Sequence, residues 1–354
     1  MKISGRWSVV FILLTLVLAA ATEVKAKKIE VPGVLAVSAG DTVTLVSVAN
    51  EGVRRVETGP VGFLFPGPGG VLFAPDLVNG RTTILDVHSG RVLEQISGVT
   101  MPRFGPWKDR YLVAAGALTI VSYPERSFIS RMEGDFRRLW QIEIAPEGTS
   151  LLILERKPSG KSGAVLSAVD LSAAQVVHQR KFSSDLTRFA VASSVGLLVA
   201  ADPRRRRIRL LDPASFGDVH QLPIDGEPVD VVVMHDGKDL FAAGAIGEIL
   251  RWRLTRDRKG VQAKELKSIS VDGRVLRLTV GLEGKTFAAV TDAGRLLVIR
   301  SKDGELLASW EVPLEPRDLV WCDPKLAGPL LPSWSDRGGG LSRNDLSRSD
   351  RPSR

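Results

Sequence analysis

The sequence predicts an all-β chain built by repeating one four-stranded antiparallel unit. Three observations carry this. An apolar pentad recurs: VLAVS from Val34, VLFAP from Val71, YLVAA from Tyr111, LLILE from Leu151, LLVAA from Leu197, LFAAG from Leu240 and TFAAV from Thr286. A turn precedes most copies and often contains Gly, as in Pro32-Gly33, Gly69-Gly70, Val195-Gly196, Asp236-Gly237 and Glu283-Gly284. A second apolar segment follows each copy: TVTLVSV from Thr42, TTILDV from Thr82, ALTIVSY from Ala117, AVLSAVDL from Ala164, RIRLLD from Arg207, EILRWRL from Glu248 and RLLVIRS from Arg295.

A period of roughly forty residues with four strands in each is the pattern of a β-propeller blade, so the expected fold is a seven-bladed β-propeller. The clearest unit is Glu227–Gly273. Val229, Val231 and Val233 alternate with Asp230 and Val232 on the first strand. Asp236-Gly237 supplies the positive φ of a tight turn. Leu240–Ala243 is the second strand, Ile249–Leu254 the third, and the polar Lys264–Val271 the fourth.

Taken from its start, the chain opens on Lys2 and Arg6 and then the apolar run Val9–Ala21, followed by small residues. That is the pattern of a secretory signal peptide, expected over residues 1–26, and the run is short for a membrane span of about 20 residues. The alternative is an uncleaved N-terminal anchor facing the periplasm. A single propeller domain is expected over 27–332, in a periplasmic or secreted protein. The first unit begins at its second strand, Val34, whereas RDLVWCD from Arg317 aligns with the first strands EPVDVVV, RVLRLTV and LTRFAVA. The last strand is therefore expected to complete the first blade and close the ring, which removes exposed edges. Residues 333–354, rich in Ser, Arg, Asp and Gly, are expected to form a disordered tail.

The repeat resembles WD-repeat and YVTN-type propellers of bacteria. The carriers are Asp236-Gly237-Lys238 before Leu240, Gly284-Lys285 before Phe287, and Leu85-Asp86-Val87-His88-Ser89-Gly90. Trp-Asp dipeptides closing the third strands are absent. Such propellers include binding scaffolds, lactonases and quinone-dependent enzymes, so the resemblance implies a frame and leaves the activity open.

Catalytic motifs are sparse. His88, His178, His220 and His235 are too scattered for a metal motif, and a GxSxG elbow is missing. Pro158–Gly163 carries Gly-Lys-Ser but lacks the first Gly of a phosphate loop. The reading assigns no catalytic, metal or cofactor residues. Asp86, Asp170 and Asp212 follow the third strands in register, which suits acceptors for turn N–H groups. Cys322 is the only cysteine and sits in the apolar run Leu319–Cys322, as a small buried hydrophobe does.

One cluster points to a partner. Arg204, Arg205, Arg206 and Arg207 join the second and third strands of the fifth unit; Arg156, Lys157 and Lys161 occupy the same link of the fourth; Arg137 and Arg138 precede it. Links between second and third strands and links between blades emerge on one face, so these groups are expected to share a basic patch. The net charge of +8 agrees. In an exported protein the partner expected is a protein of the cell envelope or another anionic surface, bound by a monomer; nucleic acid fits poorly. The contrasting expectation is an enzyme working in the central channel. Its material is the polar side chains of the first strands: Arg103, Gln141, Glu143, Arg188, Asp230, Arg277 and Asp318. A conical pocket with three or more converging acids or His would favour the enzyme; a channel of apolar or unmatched polar groups would favour the scaffold.

Overall fold

The computed structural model describes residues 31–76, 78–97, 101–103, 110–114, 118–122, 128–132, 139–145, 149–156, 163–244 and 246–323. The expected signal peptide and the expected tail lie outside them. Among the described residues there are strands and short 3-10 turns and no α-helix.

The strands form six sheets in a propeller-like ring. The first contains β1 (Val34–Ala39), β2 (Thr42–Ser47) and β3 (Gly52–Glu57). The second runs through β4 (Phe65–Gly67), β5 (Val71–Asp76), β6 (Arg81–Asp86) and β7 (Val92–Ser97). The third has β8 (Met101–Arg103), β9 (Arg110–Ala114), β10 (Leu118–Ser122) and β11 (Phe128–Met132). The fourth has β12 (Leu139–Ile144), β13 (Ser150–Arg156), β14 (Ala164–Asp170) and β15 (Gln175–Phe182), and the fifth β16 (Phe189–Ala192), β17 (Leu197–Asp202), β18 (Arg207–Leu211) and β19 (Asp218–Pro223). The sixth holds seven strands: β20 (Asp230–Val233), β21 (Asp239–Ala243), β22 (Ile246–Asp257), β23 (Gly260–Val280), β24 (Thr286–Thr291), β25 (Arg295–Arg300) and β26 (Leu306–Glu311). The last strand, β27 (Pro316–Cys322), returns to the first sheet and pairs antiparallel with β1, from Val34 opposite Cys322 to Ala39 opposite Pro316.

Burial explains the sequence pattern. The pentad strands β1, β5, β17 and β24 are buried along their whole length, as apolar runs covered on both faces must be. The outer strands β3, β7 and β19 are mostly exposed and correspondingly polar. Successive sheets pack face to face. Leu152, Leu154 and Leu166 of the fourth sheet meet Phe189, Leu198 and Leu211 of the fifth. Leu197, Val199 and Leu210 of the fifth meet Val231, Leu240 and Trp252 of the sixth. Val34, Val43 and Cys322 of the first meet Leu64, Leu72 and Leu85 around the second.

The sequence separates a strand at Lys264–Val271 from the next first strand, RVLRLTV. The structure merges them into the single strand β23. Its first part pairs with β22 and its last part with β24, so the chain changes partner without leaving the extended conformation. No proline interrupts it, and the positive φ of 82° at Gly273 absorbs the change of direction. Asp236-Gly237 behaves as read: Gly237 has a φ of 67°, and Asp236 accepts the N–H of Lys238 at 2.9 Å. The Asp of the third-strand ends does the same work. Asp170 accepts Ser172 Oγ and N–H and the N–H of Ala173; Asp212 accepts Ser215 Oγ and N–H and the N–H of Ala214. The Ser172 and Ser215 hydroxyls are the main cause of the lowered pKa of each carboxyl. Cys322 is buried, and burial pushes its thiol up to about 12.

Candidate functional site: a charged girdle in the central channel

The first strands carry polar side chains around the channel: Gln141 on β12, Asp230 on β20, Arg277 on β23 and Asp318 on β27, with Arg188 one residue before β16. Gln141 and Asp230 pair with the fourth residue of their pentads, Leu154 and Ala243, and Arg277 and Asp318 with the fifth, Val290 and Ser38. Three of them tie neighbouring first strands together. Phe189 N–H donates to Gln141 Oε1 at 2.9 Å, while Gln141 Nε2 donates to the Phe189 carbonyl at 2.8 Å. Leu278 N–H donates to Asp230 Oδ2 at 2.9 Å, and Val231 N–H to Asp230 Oδ1 at 2.8 Å. Leu64 N–H donates to Asp318 Oδ2 at 2.9 Å.

Two arginines complete a girdle. Arg188 reaches Asp318 Oδ1 at 3.2 Å, and Arg277 Nε lies 3.9 Å from the same oxygen. Burial is the largest influence on Asp230 and holds its carboxyl above the usual range, although Arg188 and Arg277 pull it down. Burial, reinforced by the charge of Arg188, pushes Arg277 below the usual guanidinium range against the attraction of Asp230 and Asp318.

The girdle divides the channel. On one side lies a cavity of about 430 Å³, lined by residues that follow the girdle on each strand, among them Glu143, Val191, Val233, Val280 and Trp321. On the other lies a cavity of about 360 Å³, lined by Arg277 and by residues that precede the girdle positions: Phe63, Trp140, Leu276, Pro316 and Arg317. Phe63 and Trp140 meet edge to face at 5.7 Å, and Trp140 Nε1 donates to the Thr187 carbonyl at 2.6 Å.

Three acids, Glu143, Asp230 and Asp318, line the larger cavity, which is the number the enzyme expectation asked for. They are not free, however. Asp230 and Asp318 have both oxygens engaged by backbone N–H groups or Arg188, and Glu143 Oε1 accepts Gln141 Nε2 at 3.0 Å. Among the described residues no group of three or more His, Cys, Asp or Glu is placed to hold a metal. Arg103 lies on β8, and its side chain is outside the described set.

Of the predicted basic patch, Arg137, Arg138, Lys157 and Lys161 lie outside the described residues. The rest divides. Arg204 and Arg206 are exposed and make no ion pair among the described residues. Arg205 reaches Ser183 Oγ at 3.1 Å, and Arg156 approaches Asp185 at 4.0 Å while stacking 4.4 Å over Trp140. Both therefore border the segment between the fourth and fifth sheets. Arg207 turns inward to Asp202 at 3.3 Å. Because Phe189 pairs with Ala200, the Arg204–Arg206 turn lies at the end of the fifth sheet where β16 begins, the end facing the smaller cavity. The sequence reading missed Phe63 and Trp140. Their only signal is an aromatic residue just before a channel position, and Phe63 stands where no alternating first strand can be recognised.

With that geometry in view, the chain is a β-propeller of WD-repeat-like architecture. A chain of Kuenenia stuttgartiensis hydrazine synthase matches it with a TM-score of 0.63 at 15% identity, covering 80% of this chain and 99% of that one. A chain of the mitotic checkpoint complex matches with 0.60 at 14%, covering 76% and 88%. A functionally unknown protein from Desulfotomaculum acetoxidans matches with 0.64 at 11%, covering 82% and 99%. At these identities the likeness is one of fold. No protein-family model matches the chain, and no curated protein matches it.

Proposed function

We propose that this chain is an exported, non-enzymatic propeller of seven blades that binds a protein of the cell envelope. Counting the seven-stranded sheet as two blades sharing β23 makes seven, and the pairing of β27 with β1, together with its contact with β23 and β24, supports closure of the ring. The basic start and apolar run of residues 1–26 support export to the periplasm or beyond. The observation that carries the binding role is that the channel acids are already engaged: Asp230 and Asp318 accept backbone N–H groups and Arg188, which joins neighbouring blades rather than leaving them to chemistry. Cations without an acid partner among the described residues, Arg204 and Arg206 among them, stand at the surface. Tagged full chain, expressed and recovered from the envelope fraction, should retain a defined protein above a control propeller. Retention of nothing, with turnover of a defined substrate, would overturn the proposal. The second reading, an enzyme of lactonase or quinone-dependent type, draws on the three acids of the larger cavity and on the likeness to a hydrazine synthase chain.

A further inference from the structure

The smaller cavity differs in composition from the rest of the channel. Its lining brings together two guanidiniums, Arg277 and Arg317, two aromatic rings and no carboxylate among the described residues. The two acids that flank Pro316 and Arg317 along the chain do not line it: Glu315 is exposed, and Asp318 belongs to the girdle. The girdle below does not neutralise this mouth. Asp318 is shared between Arg188 and Arg277, and its other oxygen is taken by Leu64 N–H. Asp230 is held by two backbone N–H groups. Formal charges of Arg188, Arg277 and Arg317 against Asp230 and Asp318 leave an excess of one positive charge. Arg277 Nε has no hydrogen-bond partner, and Arg317 is exposed with no ion pair among the described residues. A partly desolvated guanidinium, Arg277, beside an exposed one, Arg317, without a full counter-charge favours an incoming anion, and the carboxylate of an acidic side chain is one their fork geometry fits.

The aromatic wall is held in place beforehand. Trp140 is fixed by its bond to the Thr187 carbonyl, by Arg156 over its ring and by the edge of Phe63. Rigid aromatic anchors beside a desolvated charge are what a hot spot for protein binding requires, because little freedom is lost on association. A cavity of about 360 Å³ has room for an inserted side chain, and it lies at the end of the ring that carries Arg204 and Arg206.

We propose that the channel mouth formed by Phe63, Trp140, Arg277 and Arg317 captures an acidic segment of a partner protein. A carboxylate of that segment lies between the two arginines, and an adjacent apolar side chain rests on the two rings. The proposal rests on the scaffold reading and gives that scaffold a specific site.

Binding of a fluorescein-labelled peptide of alternating Glu and Phe to the full chain tests it, followed by anisotropy. Replacing Glu by Gln in the peptide should abolish binding. Arg317→Gln, an exposed change that leaves the fold intact, should weaken binding about tenfold, the worth of one charge-assisted hydrogen bond. Arg277→Lys, which keeps the girdle charge, should weaken it as well, and Arg204→Ser with Arg206→Ser should change it less than about threefold. Unchanged binding by Arg317→Gln, or equal loss in the Arg204/Arg206 variant, overturns the site in favour of diffuse attraction. Competition by free N-acetylglutamate at the peptide's own concentration also overturns it, in favour of a small-carboxylate site. Recovery from the envelope separates the two readings. A partner held equally by wild type and Arg317→Gln sinks the mouth and leaves the scaffold standing. If wild type holds no partner the scaffold falls, and the peptide result still decides the mouth.

Discussion

Arginine occurs in two opposite settings in this ring. Arg188 and Arg277 stand in the channel with side chains mostly hidden from solvent, tied to acids on neighbouring first strands. Arg204 and Arg206 stand on a surface turn with solvent around them. A buried ion pair contributes little net stability when made, yet removing one partner is costly because a charge is left stranded in a poor dielectric. An exposed guanidinium contributes almost nothing to the fold and is free to meet another molecule. The inner charges thus hold the ring, with Arg277 also lining the channel mouth, whereas the outer ones add almost nothing to the fold.

The sharpest way to break this contrast is to remove the strand that carries Asp318. Ending the chain at Glu315 strips the buried Leu319, Trp321 and Cys322 from the first sheet and leaves β1 as a bare edge. Loss of those side chains alone should cost about 5 kcal/mol, so the truncated chain should lack a cooperative thermal transition. A wild-type melting temperature would contradict closure by β27.

Removing only the Asp318 carboxylate should come next in size. Asp318→Ala deprives Arg188 of its partner and leaves Leu64 N–H unsatisfied, and should cost about 3–5 kcal/mol in urea unfolding. Asp318→Asn should lose less, because the amide oxygen can still accept that N–H. Equal behaviour of the two would mean that hydrogen bonding, rather than charge, is irrelevant at this position.

Asp230 sharpens the comparison from the other side. Its folded pKa is raised, so the native state favours the protonated carboxyl. The stability this group contributes is present at acid pH and is lost as pH rises through the folded pKa. Asp230→Asn removes the titrating group, while its amide nitrogen then faces one of the two backbone N–H donors. Relative to this variant, wild type should gain stability as pH falls from neutral into the carboxylate range. A wild type that lost ground on acidification would reverse the assignment.

The smallest effect belongs to the rim. Changing Arg204 and Arg206 to Ser should move stability by less than about 0.5 kcal/mol. Retention on anionic vesicles at low salt should drop in the variant and vanish for both proteins as salt rises. Unchanged retention would make this turn an ordinary solvated loop.

Much of the frame was legible in the sequence because it is repeated. The pentads at Val34, Val71, Leu197 and Thr286 head strands β1, β5, β17 and β24, and the alignment of RDLVWCD with other first strands anticipated the partner of β1. Asp230, Arg277 and Asp318 were recognisable as polar residues of first strands, although sequence alone leaves open whether they face the channel. What escaped was less local. The buried Asp202 at the end of β17 accepts Ser184 Oγ, from the link between the fourth and fifth sheets, at 2.9 Å and meets Arg207 at 3.3 Å. The continuity of β23 depends on which strands flank it, and the pairing of Phe63 with Trp140 joins residues from two different blades.

The central claim is that the channel charges hold the ring while the molecule works by binding a protein. Quantitative recovery of envelope proteins on wild type and on Asp230→Asn tests it most directly, with both proteins assayed in parallel on lactone and alcohol substrates. The account predicts one partner enriched equally by both and turnover by neither. Absence of any partner, together with a turnover by wild type that Asp230→Asn abolishes, would contradict it.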